Sequence, residues 1–162
     1  MKPEEIEYRR TVEPADSGRV RKMTESSGFF NAEEVDVAVE LVGERLKKGE
    51  QSGYFFIFAE INRRTIGYSC YGPISGTQCS FDLYWIVVEN EYRGKKIGKF
   101  LLGKSEEAIR AMNGRRIYVE TSSRELYAPT RKFYAGNGYR LEATLEDFYA
   151  PGDSKNIYIK EV

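Results

Sequence analysis

With 162 residues, 41% hydrophobic and 31% charged, the chain has the length and balance of one soluble domain spanning residues 1–162, with no case for disorder. Lys plus Arg equals Asp plus Glu at 25 each, so no net field draws in a nucleic acid or an anionic membrane. Histidine is absent, which excludes Ser-His-Asp and Cys-His catalysis and His-based metal sites, and two cysteines are too few for a zinc cluster or a disulfide framework.

The N-terminus, Met1-Lys2-Pro3-Glu4-Glu5, is polar and has no apolar leader core, and no apolar run approaches the ~18 residues of a membrane span. A cytoplasmic protein is expected, with Cys70 and Cys79 reduced. Ile6–Arg10 reads as a short strand and Pro14–Ser26 as a helix with Val20 and Met23 inward. Asn31-Ala32-Glu33-Glu34 has capping-box spacing, and Val35, Val39, Val42 and Leu46 follow at helical period to about Lys48. Tyr54–Ala59 and Thr65–Tyr71 form a hairpin around Asn62-Arg63-Arg64. Leu83–Val88 is nearly unbroken apolar, the pattern of a central strand covered on both faces. Ile97, Leu101, Ala108 and Met112 lie on one stripe of a long helix stopped by Asn113-Gly114. Ile117–Thr121 is a strand, Pro129 opens a helix to about Ala135, and Tyr139–Phe148 and Asn156–Glu161 close the chain, the last strand short and at an edge or terminus. The sum is an α/β domain with a mixed sheet of six or seven strands and about four helices.

Between the central strand and the long helix runs Arg93-Gly94-Lys95-Lys96-Ile97-Gly98-Lys99. A helix N-terminus carries unpaired N–H groups and the positive end of the macrodipole. Glycines 94 and 98 allow close backbone approach, and Arg93 suits bidentate phosphate contact. Taken alone, the run is equally a solvated basic turn with glycines for packing. It fits neither of the common nucleotide-binding glycine motifs, and one basic run without a second basic face argues against nucleic acid.

Arg93–Gly98, followed by Phe100-Leu101-Leu102, resembles the acyl-CoA signature of the GNAT superfamily, Gln/Arg-x-x-Gly-x-Gly/Ala. Arg93 and Gly98 match its first and last positions, while Lys96 stands where the family has its first glycine. Lys132-Phe133-Tyr134-Ala135-Gly136-Asn137-Gly138-Tyr139 is similar to the family's second motif, Phe-Tyr-x-x-x-Gly-Phe, and the order of elements agrees over most of the chain. The resemblance implies a GNAT-like fold that transfers acetyl directly from acetyl-CoA, as cosubstrate, to a primary amine in a ternary complex without a metal. The diphosphate would lie on Arg93, Gly94, Lys95, Lys96, Ile97, Gly98 and Lys99, and the pantetheine arm would pair with Ile86, Val87 and Val88. Backbone N–H groups near Val87 and Val88 would meet the developing oxyanion.

For the general acid the resemblance implies Tyr134, since a phenol is protonated at neutral pH and can donate to a departing thiolate. Asp82 and Glu120 are alternative bases, each able to act through water, and a base is dispensable if the amine arrives neutral. Tyr127 occupies the position of a family Asn that contacts the cofactor. Phe29, Phe30, Trp85 and Tyr149 are expected to line the acceptor pocket. The acceptor reads as a small-molecule amine or amino acid. A protein N-terminus or lysine, or a non-catalytic acetyl-CoA-binding regulatory module, are the alternatives, and sheet edges leave a homodimer open.

Overall fold

A computed structural model describes residues 5–162; the polar stretch 1–4 noted above lies outside the described residues. The elements are β1 (Glu7–Arg9), α1 (Asp16–Ser27), α2 (Ala32–Lys48), β2 (Phe55–Ile61), β3 (Arg64–Pro73), β4 (Ser80–Val88), α3 (Ile97–Ala111), β5 (Arg116–Ser122), α4 (Ala128–Gly136), β6 (Arg140–Ala150) and β7 (Asp153–Glu161). They build one seven-stranded mixed sheet in the order β1-β2-β3-β4-β5-β7-β6, within the range expected from the sequence. Alternation along β2 sends Ile57 and Ala59 to one face and Phe56 and Phe58 to the other, and both faces are covered. On the first face they meet Ile97, Leu101 and Ile109 of α3 and Tyr134 of α4; on the second, Val20 and Met23 of α1 and Ala38 and Val42 of α2. Cys70 and Cys79 are free thiols. Among the described residues, no helix is long and apolar enough to cross a membrane.

The local signals behaved as their physics requires. Asn31 accepts from the Glu34 N–H at 2.8 Å while Glu34 accepts from the Asn31 N–H at 3.1 Å, completing the capping box of α2. Asn62 and Arg63 both have positive φ, the two-residue turn that matches strand twist in the β2–β3 hairpin.

Four expectations need correction. The buried stripe of α2 is Val35, Ala38, Leu41 and Val42; Val39 is half-buried and Leu46 exposed, because Ala38 and Leu41 complete the i, i+3, i+6, i+7 face. Met112 lies past the end of α3 and is exposed. The last strand is neither short nor at an edge: β7 begins at Asp153 and sits between β5 and β6, and β6 is the edge. Finally, β4 is not sealed on both sides, since Tyr84, Trp85, Ile86 and Val88 are only half-buried.

Candidate active site

The openness of β4 follows from two irregularities. Cys70 pairs with Trp85 but Tyr71 with Leu83, so Tyr84 is an extra residue, a β-bulge. The bulge shifts the side-chain phase. Phe81 and Leu83 face the α3/α4 side, Tyr84 and Trp85 both pack on the α1/α2 side, and Ile86 then returns to the first. Meanwhile β4 and β5 pair in parallel only from Ser80↔Arg116 to Asp82↔Tyr118 and diverge beyond. Glu89 N–H donates to the Ile66 carbonyl, so ladder alternation puts Val87 and Trp85 in the hydrogen-bonded pairs with β3. The N–H groups of Ile86 and Val88 therefore point into the gap beside β5, whereas that of Val87 is engaged by β3. Thr121, across the gap, has a buried hydroxyl without a partner among the described residues, and an unmade bond of this kind costs ~1–3 kcal/mol.

This gap opens into a cleft of about 1250 Å³. One end is the first turn of α3. Gly94 has φ +76°, and Lys96, the N-cap, has φ +65°, a left-handed conformation that explains why a glycine would suit its place. Unlike α2, α3 has no side-chain cap and no acid in its first turn, so its N–H groups are left open. A Cβ on Gly98 would meet the Phe133 ring at 3.5 Å, an ordinary contact, so the protein's own packing does not demand glycine there. Arg93, Lys96 and Lys99 line this end; Lys95 does not, and instead lies 5.4 Å over the Tyr92 ring. The Arg93 guanidinium donates to the Ser27 carbonyl at 3.0 Å and lies over Phe29, which anchors the turn between α1 and α2 to the α3 loop.

Tyr134 is set in the middle, only 3% exposed, edge-on to Phe133 and Tyr139 with ring centroids 5.2 and 5.5 Å away. Burial pushes its phenol well above the ordinary range, so it is a firmly held proton donor. The residue lines the cleft. Asp82 is half-buried beside the bulge. Desolvation, then repulsion from Glu120, raises its carboxyl to about 6, against a smaller opposing pull from Lys155. Glu120 itself is 49% exposed on its side chain and paired with Lys155 at 2.9 Å. Arg116, on the same strand, pairs with Glu161.

Phe29, Phe30, Trp85 and Tyr149 all line the cleft, Phe29 beside Arg93 and Phe30 edge-on to Trp85 at 5.9 Å. Burial and the charges of Glu120, Asp153 and Glu34 push the Tyr149 phenol up to about 12. Sequence reasoning missed Glu34, Tyr84 and Asn137 as lining residues. Glu34 was explained by its cap, and the bulge that exposes Tyr84 leaves no mark in a uniformly apolar strand. Tyr127 also lines the cleft, but its hydroxyl donates to the Phe29 carbonyl at 2.6 Å instead of being free for a ligand.

A family model described as an acetyltransferase (GNAT) domain matches residues 52–141. A solved structure assigned to the GNAT acetyltransferases, from Desulfovibrio desulfuricans, is 44% identical with a TM-score of 0.95, over 96% of this chain and 98% of that one. An aminoglycoside 6'-N-acetyltransferase complexed with coenzyme A shares the fold at 18% identity and a TM-score of 0.77, covering 96% of each chain. A ribosomal-protein-alanine N-acetyltransferase from Brucella melitensis does so at 20% identity and 0.77, over 96% of this chain and 99% of that one. No curated protein matches the sequence.

Proposed function

The chain belongs to the GNAT family of acetyltransferases, and from that premise we propose that it moves acetyl from acetyl-CoA directly to the amine of a small cationic molecule or amino acid. The observation that carries this reading is the division of charge along one cleft. Arg93, Lys96 and Lys99 surround an uncapped helix N-terminus at one end, and Glu34, Asp82, Glu120 and Asp153 outnumber Arg124 and Lys155, the partner of Glu120, among the aromatic rings at the other. The first end suits a diphosphate and the second an ammonium ion. Between them the open N–H edge of β4 and the orphan Thr121 hydroxyl fit an amide-bearing arm lying in the gap.

Each chemical requirement then has a residue. Asp82 accepts a proton from the arriving ammonium, directly or through water, leaving a neutral nitrogen to attack the thioester carbon. The N–H of Val88 or Ile86 donates to the oxygen as charge develops there. The C–S bond breaks as the C–N bond forms, Tyr134 gives its proton to the sulfur, and the second proton shed by the amide nitrogen restores the phenol through water. The turn between α1 and α2 sets Phe29 and Phe30 on the cleft wall, and aromatic rings beside acids favour a small cationic amine over a protein terminus. Thiol release from acetyl-CoA against diamines, aminoglycosides, amino acids and peptides tests this. Turnover with small cationic amines is expected, and turnover confined to peptides would reverse the choice of substrate.

A further inference from the structure

On this reading of the acceptor end, we propose that Tyr127 is the latch of an acceptor strap, a positioning residue for the amine and not a contact to acetyl-CoA. The strap is the α1–α2 turn, entered through Gly28 at φ +82°. On one side it is tied to the loop after β4: Asn90 Nδ2 donates to the Ser26 carbonyl at 2.9 Å and Arg93 to the Ser27 carbonyl at 3.0 Å. On the other it meets the turn after β5, where the Tyr127 hydroxyl donates to the Phe29 carbonyl at 2.6 Å and the two rings pack at 5.9 Å. Because β4 and β5 have separated by this point, the strap bridges the loops that follow their diverging ends.

Tyr127 is the hydrogen-bonded tie on the β5 side among the described residues. Arg124 lies 5.9 Å over its ring and steadies it. Releasing that tie loosens Phe29, which Arg93 also holds, and with it Phe30, which packs on the α1/α2 core and edge-on against Trp85. Trp85 is in turn fixed from behind, its indole N–H donating to the Tyr68 hydroxyl at 3.0 Å, which is bonded to Thr24 of α1 at 2.7 Å. The aromatic wall of the acceptor end thus has a rigid half, Trp85, and a half whose place depends on Tyr127.

The test is Tyr127→Phe, which keeps the ring and its packing and removes one donor. The expected result is an acceptor KM raised about fivefold, the worth of one such bond, with the acetyl-CoA Kd from calorimetry unchanged. Trp85 is the chain's single tryptophan, so its fluorescence reports on the strap without labelling. Acrylamide quenching of that emission should increase in the variant. A weakened acetyl-CoA Kd with the acceptor KM unmoved would overturn the latch and make Tyr127 a cofactor contact. No change in KM or in quenching would overturn it as well. Failure of the wild-type protein to bind acetyl-CoA would strike the acetyltransferase reading, which the variant comparison leaves separately visible.

Discussion

Asp82 holds the least comfortable charge in the cleft, half-buried, close to Glu120 and without a hydrogen bond among the described residues. Its raised pKa of about 6 has two consequences. Activity should rise as pH climbs through about 6, because the base form then dominates, and Asp82→Asn should remove that limb from the rate profile. Stability runs the other way. The folded state favours the protonated carboxyl, so this contribution is lost as pH rises from the unfolded value of about 3.9 through the folded one. Asp82→Asn should therefore raise Tm at pH 7.5 while depressing kcat, and a lower Tm would contradict the assignment. Tyr134→Phe should lower kcat about 100-fold and leave acetyl-CoA affinity intact, as calorimetry beside steady-state kinetics would show. Lys96→Gly should stabilise the fold by about 0.5–1 kcal/mol in denaturant melts, since a left-handed lysine costs more than a left-handed glycine. That Arg93 and Tyr134 line one cleft was legible in the sequence, because each sits in a spaced motif. The exposure of Glu120 and the bond from Tyr127 to Phe29 were not, because each depends on a partner from a distant segment.

Elements make the site by what they leave undone. Helix α2 closes its own N-terminus with a capping box, whereas α3 begins on a left-handed lysine and stays open. Strand β4 keeps its ladder with β3 and abandons β5 after Asp82. Gly67 of β3 lies behind this open stretch, and a Cβ there would stand 2.9 Å from the Val87 carbonyl and 3.4 Å from the Val88 Cα. Gly67→Ala should push β4 by a few tenths of an ångström and cut kcat about tenfold, with far-ultraviolet circular dichroism unchanged. Unchanged turnover would separate the β4 edge from catalysis. Helical period, caps and the hairpin turn could be read directly, since they depend on neighbours in sequence. The start of β7 could not, because Asp153 and Lys155 look like loop residues until Ser122 and Glu120 are placed beside them. Of the polar residues that hid this strand, Asp153 lines the cleft.

Across the whole molecule a balanced charge total conceals local clusters that the fold gathers along one cleft, Arg93, Lys96 and Lys99 in one and Glu34, Asp82, Glu120 and Asp153 in another. The same balance ties the sheet edge to the helices. Asp16, fully buried, is desolvated, yet its bonds to Arg9, the Glu13 N–H and Arg19 outweigh that and hold its pKa below the usual value. Its stabilisation is complete above about pH 3.9 and lost as pH falls through the folded value, the reverse of Asp82. Titrating acetyl-CoA into the wild-type protein by calorimetry tests the central claim most directly. One molecule should bind per chain, more weakly as salt rises, because the basic end of the cleft screens. Absence of binding at millimolar acetyl-CoA would contradict it.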